Sequence, residues 1–142
     1  MLVIRPASRA EAIEISARLR SEDKQEAETA TGNTVSAALA YSFDISQEVY
    51  TIRFTADGAP VAIFGIAERA PWFLCTPEAL TAKRAIRDET RRRFDGWKAQ
   101  FGTIWNLMDC RNTQHVRWAK DLGVTLHHTI KLNGHDFIFF SY

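Results

Sequence analysis

Any chemistry in this chain would have to come from a short roster of side chains: Cys75 and Cys110, four histidines including the adjacent His127 and His128, and a run of cations between Thr81 and Lys98. A cysteine is a nucleophile only as the thiolate, which needs a histidine or a helix N-terminus beside it. Neither Cys75, in WFLCT, nor Cys110, in MDCRN, has such a neighbour clearly placed, so both are expected to be structural free thiols. Two isolated cysteines make neither a disulfide framework nor a zinc ribbon. His127 and His128 are expected on opposite faces of a strand, where they cannot share a metal, and no metal site is expected. His115 falls mid-way along the apolar arc of a helix, the place for a core or half-buried histidine with one partner.

The cations need more care. Residues 81 to 98 hold seven basic and three acidic side chains, an excess of four. Arg84, Arg87, Arg91 and Lys98 form a stripe that could track phosphates. The interleaved Asp88, Glu89 and Asp95, and a net charge of only +1, favour a solvated helix face, so nucleic acid is not an expected partner. No apolar run approaches the roughly 18 residues that span a bilayer. LVIRP follows Met1 without the apolar run and cleavage site of a secretory signal, so the chain is expected to stay where it is made, in a reducing compartment. At 142 residues and 46% apolar composition, one domain over 1–142 with its own core is expected.

The elements that must position these groups are read from period and punctuation. LVIR reads as a first strand, and Ser8 with Glu11 as a capping box opening a helix near Arg9, with Ala10, Ile13 and Ala17 on one face. That pattern fades through SEDKQEAETATGN, expected to be a helix end and loop stopped by Gly32. A short helix, VSAALAYSF, follows, then the hairpin VYTIRFT, Ala56-Asp57-Gly58, PVAIFGIAE, and the apolar strand WFLC. A long helix is expected from about Thr81 to Gln100, with Ala82, Ile86, Thr90, Phe94, Trp97 and Phe101 on its inner face. TIWNLMDC reads as a strand. Asn112 is placed as an N-cap for a helix with His115, Trp118, Ala119 and Leu122 inward, ended by Gly123. A hairpin turning at Asn133-Gly134 closes the chain. The order is strand, helix, helix, three strands, helix, strand, helix, two strands: an α/β (α+β type) domain with a mixed sheet of about seven strands and helices on both faces.

That order resembles the GNAT (Gcn5-related N-acetyltransferase) fold over essentially the whole chain. Two motifs carry the likeness in sequence: Ile4-Arg5-Pro6-Ala7 in the opening strand, and Asn112 through Leu122-Gly123 before the last hairpin. WFLCT, the basic helix, TIWNLMDCRNTQHVRWAKDLGV and the closing hairpin further resemble the GNAT-related internal virion (core) proteins of T7-like podophages. The GNAT resemblance implies that the fourth and fifth strands splay apart and that acetyl-CoA lies in the gap, its pantetheine pairing with fourth-strand backbone. Here Phe73, Leu74, Cys75 and Thr76 would border that gap on one side and Met108, Asp109 and Cys110 on the other. The glycine-rich pyrophosphate turn is replaced by TPEALTAKR, where Thr81, Lys83 and Arg84 could meet phosphate with side chains. Asn112 would lie near the cofactor arm, or serve only as a helix cap.

The family's thiolate-protonating tyrosine corresponds to Ala119, which can do no acid catalysis. PWFLCT has no carboxylate to act as the base, leaving Asp109 or Glu68 as substitutes. No residue is assigned as catalytic. Two functions follow from the resemblance. One is an acetyl-CoA-dependent N-acetyltransferase acting on a small-molecule or protein amine by direct attack. The other is a non-catalytic phage virion, assembly or ejection protein, partnered by other virion proteins and found in the host cytoplasm or packaged in the particle.

Overall fold

The computed structural model describes residues 1–142. The chain runs β1 (Val3–Pro6), α1 (Arg9–Ser16), α2 (Ser21–Thr31), α3 (Val35–Ile45), β2 (Glu48–Arg53), β3 (Ala62–Ala67), β4 (Ala70–Cys75), a 3-10 turn (Pro77–Ala82), α4 (Lys83–Phe101), β5 (Trp105–Asp109), α5 (Thr113–Leu122), β6 (Thr125–Leu132) and β7 (His135–Ser141). The capping box forms as read: Glu11 N–H donates to Ser8 Oγ at 3.1 Å, and Ser8 N–H to the Glu11 carboxylate at 2.8 Å. The α1 face differs from the expected one. Ala12 and Ile15 are buried and Ile13 is 41% exposed, so the helix is turned by about one residue from the Ala10, Ile13, Ala17 face.

The larger correction lies beyond it. Residues 21–31, expected as a helix end and loop, form a separate helix, α2, stopped as expected by Gly32, in the left-handed region at φ 70°. The element order therefore has one helix more than expected. The long helix also starts later than Thr81, because Pro77 and the residues after it wind into a 3-10 turn before Lys83.

Seven strands are present, divided into a four-stranded sheet, β1-β2-β3-β4, and a three-stranded sheet, β5-β7-β6. Every ladder is antiparallel. The expected parallel pairing shrinks to two bonds where the sheets meet. Trp105 N–H donates to Arg69 O and Asn106 Nδ2 to Pro71 O, both at 2.9 Å. These partners lie 36 and 35 residues apart, so β4 and β5 run the same way. The ladder then ends, because the Asn106 side chain also accepts from Leu107 N–H at 2.8 Å and stands between the strands as a spacer.

The core fills both faces of the larger sheet by strand alternation. Ala62, Phe64 and Ile66 of β3 pack with Ile86, Phe94 and Trp97 of α4 and Leu122 of α5. Ile63 points the other way, with Ala12 and Ile15 of α1 and Leu39 of α3. Gly65 is required here, since a Cβ would meet Glu48 O at 2.5 Å. The expected inner face of α4 is buried at Ile86, Thr90, Phe94 and Trp97, with the Thr90 hydroxyl donating to Ile86 O at 2.8 Å.

Much of the basic stripe serves the structure. Arg91 donates to the carbonyls of Leu122 and Asp121 at 3.0 and 2.8 Å, satisfying the end of α5. Arg93, beside the stripe, lies over the Tyr50 ring at 4.1 Å, and Lys98 lies 5.5 Å from that of Tyr142. The two adjacent histidines do not point to opposite faces. A bulge between Leu126 and Thr129 breaks the two-residue period, and both rings lie against Phe139, at 5.3 Å for His127 and 5.8 Å for His128.

Candidate functional site

Beyond Asn106 the two strands separate toward their C-terminal ends; of the residues expected to border the gap, Phe73, Leu74, Cys75 and Met108 line cavities there, and Thr76, Asp109 and Cys110 do not. Cys75 faces Ala62 in the ladder, but it is Thr76 N–H that returns to β3, donating to Val61 O at 2.9 Å. The Cys75 amide and carbonyl therefore point into the split. Both are taken by the corner between α1 and α2. Cys75 N–H donates to Asp23 Oδ2 at 2.8 Å, and Cys75 O accepts from Arg20 N–H at 2.9 Å.

A closed polar network holds that corner. Arg20 Nη1 donates to Asp23 Oδ1 at 3.0 Å, and both guanidinium ends reach Asn112 Oδ1 at 3.4 Å. Asn112 Nδ2 donates to Asp23 Oδ1 at 2.7 Å and to Glu26 Oε1 at 3.1 Å. Arg20, Asp23 and Asn112 are 6%, 1% and 1% exposed. Ions so buried persist only when paired and hydrogen-bonded, as these are. Asn112 is thus not a side-chain cap; it makes no capping bond to α5, because its amide is used on α2.

The remaining expected residues divide. On β5, Asp109 is gripped by Arg111, with Nη2 at 2.6 Å and the backbone N–H at 2.9 Å. Burial alone would raise its pKa, but the hydrogen bonds and charge of Arg111 bring it below the usual value, which suits a structural carboxylate better than a base. Glu68 lies in the β3–β4 turn, at the far end of β4 from Cys75, and is not part of the site. The Cys75 thiol is raised by burial and by the neighbouring Asp23, and that of Cys110 by burial, so neither is activated. Ala119 packs in a small apolar cluster with Met108 and Phe140. No group of three or more His, Cys, Asp or Glu side chains could hold a metal ion.

Two cavities meet at the split. One, of about 310 Å³, lies between the α1–α2 corner, β4, the 3-10 turn, α4 and α5; Ala79, Leu80 and Ile86 line it, and Lys83, Arg84, Arg87 and Arg117, with the paired Arg20, contribute five cations. Arg87 is paired with Asp88 at 3.1 Å, whereas Lys83 and Arg84 make no ion pair. The Thr81 hydroxyl donates to Glu78 O at 2.8 Å. The second, of about 330 Å³, is largely apolar and lies between α2, α3 and strands β4, β5 and β7. Phe73, His115 and Trp118 border both. The Phe73 and Trp118 rings are 4.6 Å apart. His115 Nδ1 sits 3.4 Å from Glu26 Oε1, a charge contact without hydrogen-bond alignment. Burial works against the imidazolium, but Glu26 outweighs it and the His115 pKa is raised. His115 is therefore a largely buried histidine beside one carboxylate, at the core end of the core or half-buried range the sequence indicates.

The fit to a CoA-type cofactor is poor where it matters. The cationic cleft suits an anion, but at Cys75 both backbone groups that face the split are already bonded, and no glycine amides form a phosphate cradle. Sequence reasoning missed Arg20, Asp23 and Glu26. Their three-residue spacing, which stacks side chains on one helix face, was the available signal.

The split sheet with flanking helices is the fold of the GNAT acetyltransferases. The chain superposes on a spermidine N-acetyltransferase from Vibrio cholerae, solved in complex with CoA and spermine, over 99% of its own length and 94% of that chain, with TM-score 0.68 and 12% identity. A phosphinothricin acetyltransferase from Sinorhizobium meliloti, in complex with acetyl-CoA, matches over 99% and 87%, with TM-score 0.70 and 17% identity. These identities establish fold and nothing finer. No family model matches the sequence. In sequence, the chain is 28% identical over 102 residues to the probable scaffold protein gp13 of Escherichia phage T7, covering 69% of this chain and 72% of that one.

Proposed function

We propose that this is a non-catalytic phage protein, associated with the virion or its assembly, that keeps the acetyltransferase fold as a structural body. One observation carries the reading: the Cys75 amide and carbonyl, which face the split, are consumed by Asp23 and Arg20. Ala119 at the position of the usual acid and the absence of a glycine cradle support it. The likeness to the phage T7 protein supports a place among phage particle proteins, with other virion proteins as partners. The chain would then work in the infected host's cytoplasm and in the particle.

The test is a thermal-shift and calorimetric titration of the unaltered chain with acetyl-CoA. A micromolar ligand at thousandfold excess would stabilise the chain by about 4 kcal/mol. The expected result is no shift and no heat.

A second reading, an acetyl-CoA-dependent N-acetyltransferase with an amine acceptor, is favoured by one feature. Lys83 and Arg84 stand without ion pairs at the cleft, with Phe73 contributing to its wall. It requires the α1–α2 corner to leave Cys75. A saturable shift with acetyl-CoA, followed by acetyl transfer to an amine, would establish it in place of the first.

A further inference from the structure

Three segments distant in sequence meet in the buried ions at the open end of the split: the α1–α2 corner, the end of β4 and the start of α5. Apolar residues of similar volume would usually hold such a junction at least as firmly, so stability alone does not explain the choice of ions. The bonding pattern does. A strand edge offers one N–H and one C=O, and an extended amide chain answers with one acceptor and one donor. At Cys75 the Asp23 carboxylate supplies the acceptor and the Arg20 backbone N–H the donor, so two groups of the chain together imitate a ligand's amide backbone.

We propose that the α1–α2 corner is a built-in plug, an internal occupant of the strand edge that the fold otherwise offers to a cofactor arm, and that Asn112 and the Glu26–His115 contact are the bolt that keeps it seated. This deepens the reading above and rests on it only for the identity of the displaced ligand. The corner also borders a reporter. Cys75, a residue 6% exposed, lines the cleft beside Arg20 and Asp23, with Ala79 and Ile86 in the same core cluster.

The experiment uses the full chain with Cys110→Ser, so that one thiol is read, and follows labelling by 5,5′-dithiobis(2-nitrobenzoate) under native conditions. Asp23→Ala, and Asn112→Ala, which keeps the Asp23 charge beside the thiol and removes only the bolt, are each expected to raise the Cys75 labelling rate at least about tenfold while circular dichroism and a cooperative thermal transition show the chain still folded. An unchanged rate in either folded variant would overturn the proposal. Should Asp23→Ala not fold, Asp23→Asn keeps the volume and one acceptor; a smaller acceleration is then expected, and none would be equally fatal. Asn106→Ala, at the joined end of the split, is the control. An equal rise there would mean general loosening and would also overturn the plug. The two readings fail separately: acetyl-CoA binding by the unaltered chain strikes the non-catalytic function, whereas an unmoved Cys75 rate strikes the plug with no cofactor in the tube.

Discussion

At one end of the β4–β5 split the strands are joined by neutral groups, the Trp105 amide on Arg69 O and the Asn106 side chain on Pro71 O and Leu107 N–H. At the other end they are bridged by Arg20, Asp23 and Asn112, nearly withdrawn from water. The neutral joint can open and exchange its partners for water at small cost. The ionic bridge cannot, since opening the Asp23 bonds strands the Cys75 amide in a dry place and leaves Arg20 with Glu22 as its one carboxylate partner. Two joints that look alike as lists of hydrogen bonds should therefore respond very differently to the loss of one partner.

The largest effect is expected at the ionic end. Asp23→Ala leaves the buried Cys75 N–H without its acceptor and the Arg20 guanidinium with only Glu22 and Asn112, and should cost about 3–5 kcal/mol, read as a lowered midpoint of chemical denaturation. At the neutral end, Asn106→Ala removes two neutral hydrogen bonds and should cost about 1–2 kcal/mol. Equal losses at the two ends would break the comparison. Arg91→Ala tests a third place, where a guanidinium serves two carbonyls at the partly exposed end of α5; about 1 kcal/mol is expected, because water can take over there.

The smallest effect is a slope. His115 faces Glu26 and Asp23, which favour its charged form, and Arg20, which opposes it, with Phe73 and Trp118 as apolar neighbours. Its folded-state pKa is raised above the unfolded value of about 6.5, so its contribution is fully present below that pH and is lost as pH rises through the folded value. Stability measured from pH 5.5 to 8.5 should fall accordingly in the unaltered chain and flatten in His115→Gln.

Where chain-local chemistry decides structure, the sequence was legible. Ser8 and Glu11 close their box, and Asn133 and Gly134 both take positive φ, 50° and 82°, as the Asn-Gly hairpin requires. The α4 face follows from its helical period. The ionic bridge was hidden because its residues look like solvated ones. Residues 21–31 carry no apolar stripe, and α2 is anchored by Asp23 rather than by a hydrophobic face. Asn112 misled for a related reason: asparagine is among the best helix caps, and only tertiary structure shows its amide turned to another helix. The bulge at His127 and His128 is announced by no glycine. Phe73, Cys75 and Asn112, expected near one another, do lie close together at the split, but that Cys75 and Asn112 are already bonded there could not be read from the chain.

The bulge has a consequence of its own. β6 is an eight-residue strand at the rim of the three-stranded sheet, the kind of rim that recruits further strands when copies of a protein are crowded together. Its extra residue kinks that rim, and exposed Lys131 adds a charge near its end. Copies packed at high concentration are thus denied fibre-like growth along this edge, and any ordered stacking there must be made by side chains meeting side chains.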